Sequence, residues 1–428
     1  MRILIISYYF PPYMNVGGFR ALSWARRFHD LGHEVVVIHG DGQEANSCAY
    51  FPESLDREML TIRVHNPLLG SAGTQSETQD SGGVPGSIRT YAKAALSLIK
   101  DDIKRFIPLL DAYGVWARAA TAAAVQEVRQ HGNFDAVVST SFPLSAHVVA
   151  MRMKRRTGAV WVADFRDYYG QFASNELRGG APRDHYLRSF ARKVGREADL
   201  VTTVSGKLAE IIRGAVAPRR LEILYNGYFE EHVHTDDNAS SPRRRILYTG
   251  SYNAIEFTIA PLVSALERLR EDGFEVPIVC FTGSRIGAVA EPLGAAGLAF
   301  EFLGAMGNSS VMRLQRESAL LLICDAMSGP GTLPTKSFEY LAARRPILAI
   351  ARLDSDLAMS LFRKPSPGYL VSMDPSRIAD FIRSRLDGQS GSDGDYYDNE
   401  MIAAYSRERQ ADKLLDKIAS LVVGKSIA

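Results

Sequence analysis

The sequence is poor in the features that mark several large classes of protein. Its three cysteines, Cys48, Cys280 and Cys324, lie far apart and form no C-x-x-C pair, so neither a disulfide framework nor a zinc site is indicated. Basic and acidic residues nearly cancel, at 50 against 48, so no overall positive charge points to nucleic acid. No apolar run reaches the roughly 18 residues that a membrane-spanning helix needs. The chain opens on a strand-like segment rather than a signal peptide, so we expect a cytoplasmic protein.

Several sequence motifs of common enzyme classes are also missing. No G-x-G-x-x-G follows the first strand-like segment, which removes the usual fingerprint of dinucleotide-dependent redox enzymes. No G-x-x-x-x-G-K-[ST], H-E-x-x-H or G-x-S-x-G occurs either, which argues against P-loop, metalloprotease and α/β-hydrolase chemistry. The functional residues are therefore expected in loops that match none of these motifs.

Short apolar segments alternate with helical-period stretches along most of the chain. Segments such as Ile3–Ile6 and Val160–Ala163 are apolar on both faces, as strands buried in a parallel sheet are. Alternating strands and helices predict doubly wound α/β sheets. Because the alternation breaks at the polar stretch Phe229–Arg245, we predict two Rossmann-like domains that face each other across a cleft. The predicted strands are Ile3–Ile6, Glu34–Ile38, Ala136–Ser139, Val160–Ala163, Leu200–Val204 and Leu221–Leu224, followed by Ile246–Thr249, Ile278–Phe281, Phe300–Leu303, Leu320–Cys324, Pro346–Ile350 and Tyr369–Val371.

The predicted domains cover residues 1–229 and 245–404, and a terminal helix over residues 405–428 is expected to pack back on the first domain. A mostly helical insertion, Ile88–Gln130, places basic residues among aromatic ones. One interpretation of this insertion is a solvated helical face. The other is a basic lip that touches a lipid surface or a lipid-linked substrate, because basic amphipathic helices bind anionic headgroups.

Two loops of the first half follow predicted strands, where α/β sheets bind ligands. The first places Gly17 and Gly18 before a helix, and glycines there let the backbone approach a phosphate. The second places Asp164, Arg166 and Asp167 at the end of a strand. A carboxylate there could orient a hydroxyl or balance a developing positive charge. The alternative is a structural pair between Arg166 and an aspartate.

The most informative loop lies in the second half, where a Gly/Pro-rich segment leads into a short helix. Thr335 is predicted as its N-cap. Lys336 and Glu339 share one helix face, while Phe338 and Leu341 point toward the sheet. A lysine at a helix N-terminus suits a diphosphate, and a carboxylate one turn further in suits a ribose diol. The alternative is an ion pair on a surface helix.

The order and spacing of several segments make the sequence similar to the family 4 glycosyltransferases, whose GT-B fold consists of two facing Rossmann-like domains. The resemblance implies that Gly17 and Gly18 lie by the donor phosphates, that Gly250 opens the second domain and that Glu339 binds the ribose of a sugar nucleotide. The segments that resemble the family are Ile3–Gly18, Ala136–Thr140, Ala198–Ser205, Ile223–Gly227, Tyr248–Ser251 and Lys336–Ile350.

The sequence departs from the family pattern at two places. Gly331 stands eight residues before Glu339, where the family's E-x7-E motif has the glutamate that touches the donor sugar. The arginine and lysine that often follow the Gly250 loop in this family are missing. Lys336 is therefore expected to neutralise the negative charge of the diphosphate in their place. The ending P-x-K-x-x-E-Y-L-A resembles bacterial surface-polysaccharide glycosyltransferases that lack the first glutamate.

Residues and resemblance together predict a retaining, metal-independent glycosyltransferase, hexosyl-transferring or related. It would move a sugar from a UDP- or GDP-sugar, without another cofactor, to a hydroxyl of a glycan or lipid-linked acceptor. A non-hydrolysing sugar-nucleotide 2-epimerase and a non-catalytic GT-B subunit that binds a sugar nucleotide or a partner enzyme remain alternatives. We expect peripheral contact with the cytoplasmic membrane face and no nucleic acid partner. The predicted roles are catalytic for Asp164 and Lys336, donor-binding for Gly17, Gly18, Gly250, Ser251, Gly331, Thr332, Thr335, Lys336 and Glu339, and acceptor-side for Arg20, Arg166 and Asp167, with no metal ligand.

Overall fold

The computed structural model describes residues 1–11, 17–41, 59–66, 111, 113–167, 181–232, 243–250, 259–283, 287–325, 331, 333–364, 366–387 and 396–427. Two of the predicted donor residues, Ser251 and Thr332, lie outside these ranges. So does the insertion over residues 88–110, with its basic residues Lys100, Lys104 and Arg105.

The first half of the chain forms a parallel sheet whose seven described strands run in the order β3-β2-β1-β4-β5-β6-β7. The central strands are apolar and buried on both faces, as expected for a sheet covered by helices on both sides. The strands are β1 (Arg2–Ile6), β2 (Glu34–Gly40), β3 (Leu60–Val64), β4 (Ala136–Ser141), β5 (Val160–Phe165), β6 (Leu200–Thr203) and β7 (Leu221–Ile223). The helices are α1 (Gly18–Asp30), α2 (Gly114–His131), α3 (Ser145–Thr157), α4 (Ala181–Glu197) and α5 (Gly206–Ala215).

The second half forms another parallel sheet, with six described strands in the order β10-β9-β8-β11-β12-β13. The strands are β8 (Arg243–Thr249), β9 (Ile278–Thr282), β10 (Phe300–Phe302), β11 (Ser318–Cys324), β12 (Ile347–Ile350) and β13 (Tyr369–Val371). The helices are α6 (Ala260–Glu271), α7 (Gly287–Ala295), α8 (Asn308–Arg316), α9 (Lys336–Ala342), α10 (Asp356–Ser360), α11 (Pro375–Leu386), α12 (Asn399–Ala403) and α13 (Arg407–Ile427). The predicted α/β class with two doubly wound sheets is confirmed.

Two differences from the predicted elements have local causes. Strand β3 was not predicted, because Leu60–Val64 is a half-exposed edge strand with polar residues rather than an apolar run. Strand β8 begins at Arg243, inside the stretch predicted as a polar linker. Arg245 is buried there because its guanidinium donates to the Ser318 hydroxyl at 2.8 Å, so a basic residue occupies a strand position.

The last helix, α13, packs on the first sheet's helix α1. Its buried residues Ala411, Leu414 and Ile418 share one apolar cluster with Phe19 and Leu22 of α1. At the start of α13, the chain pairs with the segment that leaves the first sheet, through a bridge between Tyr228 and Ser406. The chain therefore crosses back from the second half to the first at residues 405–407.

Candidate functional site

The carboxyl ends of β8 and β11 meet the start of α9, and this places Lys336 beside the Gly250 turn. The Lys336 Nζ lies 3.7 Å from the centre of the Tyr248 ring, within cation–π range. Gly250 has a φ of +107°, and a Cβ added there would lie 3.2 Å from Lys336 Nζ. A glycine at this position therefore both permits the turn and leaves room for the lysine.

Burial lowers the pKa of Lys336 to about 8, and electrostatic interactions with Cys324, Glu339 and Asp325 act in the opposite direction. The amine is therefore mostly charged at neutral pH but sits in poorly hydrated surroundings. A charge held in such surroundings attracts an incoming anion more strongly than the same charge in water does. Lys336 is thus suited to the diphosphate that the sequence assigned to it.

Glu339 lies one turn further along α9 and is half-buried. Burial raises the pKa of its carboxyl group, while the positive charge of Arg407, a hydrogen bond from Gln315 and the charge of Lys336 act in the opposite direction. Its helix neighbours Phe338 and Leu341 are fully buried, as predicted from the helix period. Glu339 is therefore enclosed by polar and charged side chains rather than exposed on a surface helix.

Thr335 stands at the N-cap position of α9, but its own backbone is helical and its side chain makes no capping hydrogen bond. The predicted N-cap position of Thr335 is therefore confirmed, but its hydroxyl does not cap the helix. Two backbone amides at this end are already used, since Ser337 N donates to Pro334 O and Phe338 N donates to Thr335 O. These two amides are not available to a phosphate, which leaves the Lys336 side chain as the main source of positive charge at this end of α9.

Gly331, which replaces the family's first glutamate, faces the first half of the chain. Its φ is +85°, a conformation that L side chains rarely adopt. A Cβ there would lie 3.2 Å from both Cβ and Cδ1 of Leu208 in α5. The glycine is therefore explained by a close contact between the two halves, and a glutamate would be strained at this position.

Asp164 and Arg20 form a buried ion pair at the carboxyl end of β5. The two side chains are joined by a hydrogen bond of 2.7 Å from Arg20 Nη2 to Asp164 Oδ1. Asp164 also accepts hydrogen bonds from Thr140 and Thr202, both at 2.8 Å, and is 0% exposed. Burial opposes ionisation of Asp164, but Arg20 and the hydroxyl donors outweigh it and hold the pKa below its usual value.

This geometry does not fit the predicted roles of these two residues. Both oxygens of Asp164 are occupied by protein donors, so no substrate atom reaches the carboxylate in this arrangement. Arg20, predicted on the acceptor side, instead donates to the backbone carbonyls of Leu224 and Tyr225 at 2.8 and 3.1 Å. Together they tie α1 and β5 to the segment that follows β7.

Gly17 and Arg166, which were predicted to bind the donor and the acceptor respectively, pack against each other. Arg166 donates to the carbonyl oxygens of Ser141 and Phe142. A Cβ added at Gly17 would lie 1.9 Å from Arg166 Nη1, so a larger residue at this position would force the guanidinium to move. Gly18 is a buried first residue of α1, and Asp167 is exposed beside Arg166.

The described residues contain no cluster of three His, Cys, Asp or Glu side chains that could hold a metal ion. Within the same part of the chain, no helix combines the length and the apolar character that a membrane span requires.

The site just described lies in a chain that resembles known proteins in sequence and in structure. Residues 17–227 match the family model of the glycosyl transferase 4-like domain. The chain is a glycosyltransferase whose residues 17–227 form a glycosyl transferase 4-like domain. No protein of curated function matches it in sequence.

Solved glycosyltransferase structures share the fold over nearly the whole chain. Sucrose-phosphate synthase from Thermosynechococcus elongatus is 14% identical, with a TM-score of 0.64 over 99% of this chain and 100% of that chain. HepE from Anabaena, in complex with UDP, is 12% identical, with a TM-score of 0.59 over 98% and 100%. An E. coli structure described as trehalose-6-phosphate bound with UDP-2-fluoro glucose is 12% identical, with a TM-score of 0.60 over 98% and 99%. The GT-B fold predicted for this glycosyltransferase is confirmed.

Three residues of the candidate site could not be predicted from the sequence. Tyr248 supports Lys336, Gln315 hydrogen-bonds to Glu339, and Arg407 supplies a positive charge from α13. Gln315 lies on an amphipathic helix without a motif, and Arg407 lies far along the chain from Glu339. Their proximity arises from tertiary packing, which no local pattern reports.

Proposed function

We propose that this glycosyltransferase moves a sugar, with retention of anomeric configuration, from a UDP- or GDP-sugar to a hydroxyl of a glycan or lipid-linked acceptor. The observation that carries the proposal is the group formed by Gly250, Lys336 and Glu339 at the carboxyl ends of β8 and β11. In parallel α/β sheets this edge is where ligands bind. The UDP-containing structures with the same fold support a nucleotide-sugar donor.

Lys336 is proposed to bind the diphosphate and to stabilise it as a leaving group. The diphosphate gains negative charge as the glycosidic bond breaks, and a preorganised cation in poorly hydrated surroundings stabilises that charge. The amine supplies this charge from the protein itself, which is why we propose a reaction that needs no metal. The Glu339 carboxylate is proposed to accept hydrogen bonds from the ribose hydroxyls.

The acceptor is proposed to enter on the side of the first sheet. Arg166 and the exposed Asp167 follow β5 there and offer charged groups for a hydroxyl-bearing substrate. Contact with an anionic membrane face is proposed for the insertion that contains Lys100, Lys104 and Arg105.

A screen of nucleotides and nucleotide sugars by thermal shift tests the donor proposal, because a ligand that binds the native state raises the melting temperature. Transfer is then measured as acceptor-dependent release of nucleoside diphosphate, with and without EDTA. An epimerase would convert the donor sugar without an acceptor, and a non-catalytic subunit would bind without turnover. Magnetic resonance of the product's anomeric proton decides between retention and inversion.

The membrane proposal has its own test. Replacing Lys100, Lys104 and Arg105 with glutamine should weaken binding to anionic vesicles by about 1 kcal/mol per residue, and added salt should weaken the wild type similarly. Donor hydrolysis should stay at the wild-type rate, because Lys336 and Glu339 are unchanged. Unaltered vesicle binding would mean that the insertion is only a solvated face.

A further inference from the structure

Gln315 of α8 lies next to the Glu339 carboxylate and is itself 0% exposed. It hydrogen-bonds to that carboxylate. Its Nε2 also donates to the Thr249 hydroxyl at 3.4 Å. Among the described residues its Oε1 has no hydrogen-bond partner, so the amide is held through Nε2. A buried amide that donates toward a carboxylate favours the ionised form of that carboxylate.

The same hydrogen bonds connect three elements of the donor site. Thr249 is the last residue of β8 and precedes Gly250. Its backbone N donates to the Tyr340 hydroxyl at 2.9 Å, and Tyr340 follows Glu339 on α9. Gln315 thus joins α8 to Glu339 and to the residue that begins the Gly250 turn. A shift of the Gln315 amide would disturb both sides of the site.

We propose that Gln315 is a positioning residue of the donor site, which holds Glu339 ionised and oriented for the ribose hydroxyls. The inference rests on the proposed function, because it assigns Glu339 to the ribose. Gln315 belongs to no sequence motif, and its proposed effect on the nucleotide is indirect, because it acts on the position and charge of Glu339.

Several groups face Glu339, and their effects must be separated. Lys336 lies on the same helix, Tyr340 is its neighbour, and Arg407 comes from α13, where its guanidinium lies 4.8 Å from the centre of the Phe229 ring. Burial raises the pKa of Glu339, and Arg407, Gln315 and Lys336 oppose that rise. Losing the Gln315 donor should therefore raise this pKa further, so that the carboxyl group becomes protonated at a higher pH.

Two variants of Gln315 test the inference with opposite expectations. Gln315→Met keeps the volume and removes the donor, so UDP or GDP affinity should fall most at low pH. Each unit added to the pKa of Glu339 weakens binding about tenfold at pH values below that pKa. Gln315→Glu can donate to Glu339 only while protonated, so its affinity should fall as the pH rises and two carboxylates repel each other. Calorimetry between pH 5.5 and 7.5 keeps Lys336 mostly charged, because its pKa is about 8.

Ser139→Ala is the matched control, since it removes a buried hydroxyl that bonds to His147 at 2.8 Å in the first sheet. Its nucleotide affinity should follow the wild type at every pH. Opposite pH trends in the two Gln315 variants support the inference. Equal, pH-independent losses in both variants, or no loss in either, would overturn it, because a residue that only fills space has no such dependence. A wild type that binds neither UDP nor GDP would overturn the proposed function instead.

Discussion

The pH dependence of nucleotide binding should report the charge of Lys336. Its pKa of about 8 in the unliganded protein means that the amine changes from mostly charged to mostly neutral between pH 7 and 9. A bound diphosphate favours the charged amine and raises its pKa. The affinity for UDP or GDP should therefore be constant below the pKa of the unliganded protein and fall above it. The fall should approach about tenfold per pH unit while the pH stays below the pKa of the complex.

Calorimetric titrations from pH 6.5 to 9.5 measure this fall directly. Lys336→Met should bind weakly at every pH, and any slope that it retains gives the titration of the nucleotide itself. Lys336→Arg should bind with little pH dependence, because a guanidinium stays charged over the whole range. An affinity that is the same at pH 7 and pH 9 in the wild type, or a slope that persists undiminished in Lys336→Met, would refute the assignment of the diphosphate to Lys336.

Three further substitutions have distinct expected outcomes. Glu339→Gln should weaken binding of ribonucleotides by about 1.5–3 kcal/mol, the cost of a charged hydrogen bond, and should reduce the preference for UDP over its 2′,3′-dideoxy analogue. Undiminished preference in calorimetry would count against ribose binding by Glu339. Gly331→Glu should lower the free energy of unfolding by about 1–3 kcal/mol, measured by urea denaturation, because positive φ and contact with Leu208 strain it. A free energy of unfolding equal to that of the wild type would contradict this expected strain. Asp164→Asn should destabilise the protein by roughly 3–5 kcal/mol by leaving the Arg20 charge buried, while the folded fraction keeps its donor hydrolysis. Lost hydrolysis in a fully folded variant would restore the catalytic interpretation.

The sequence predicted the fold well because buried parallel strands leave a strong local signal. Runs such as Ile3–Ile6 and Leu320–Cys324 are apolar on both faces, and both lie in central strands. The edge strand β3 left no such signal, because Leu60–Val64 alternates with polar residues and is half-exposed. Strand β8 was predicted too short for a related reason, since Arg245 is buried through a hydrogen bond rather than through apolar character.

The candidate site could be predicted only in part. The period of α9 placed Lys336 and Glu339 on one side of the helix, with Phe338 buried on the other. Charged residues at the carboxyl end of β5 also suggested a functional site, yet both carboxylate oxygens of Asp164 accept hydrogen bonds from Arg20 and two threonines. Local sequence cannot distinguish a carboxylate that faces a substrate from one that anchors a core, because the partners come from other elements.

The contact of Gly331 with Leu208 is a second feature that local sequence does not reveal. A missing glutamate at this position indicates from sequence only that the donor sugar loses a contact. The structure adds the physical reason, since the position has a left-handed backbone and touches α5.

The central claim is that Lys336 stabilises the leaving diphosphate of a nucleotide sugar without a metal. It is tested most directly by acceptor-dependent release of nucleoside diphosphate, measured in EDTA for the wild type and for Lys336→Met at saturating donor. We predict undiminished release by the wild type in EDTA and a large loss of turnover in the variant, greater than its loss of donor affinity. Wild-type release that stops in EDTA and returns with Mg²⁺ or Mn²⁺, or turnover that survives in Lys336→Met, would contradict the claim.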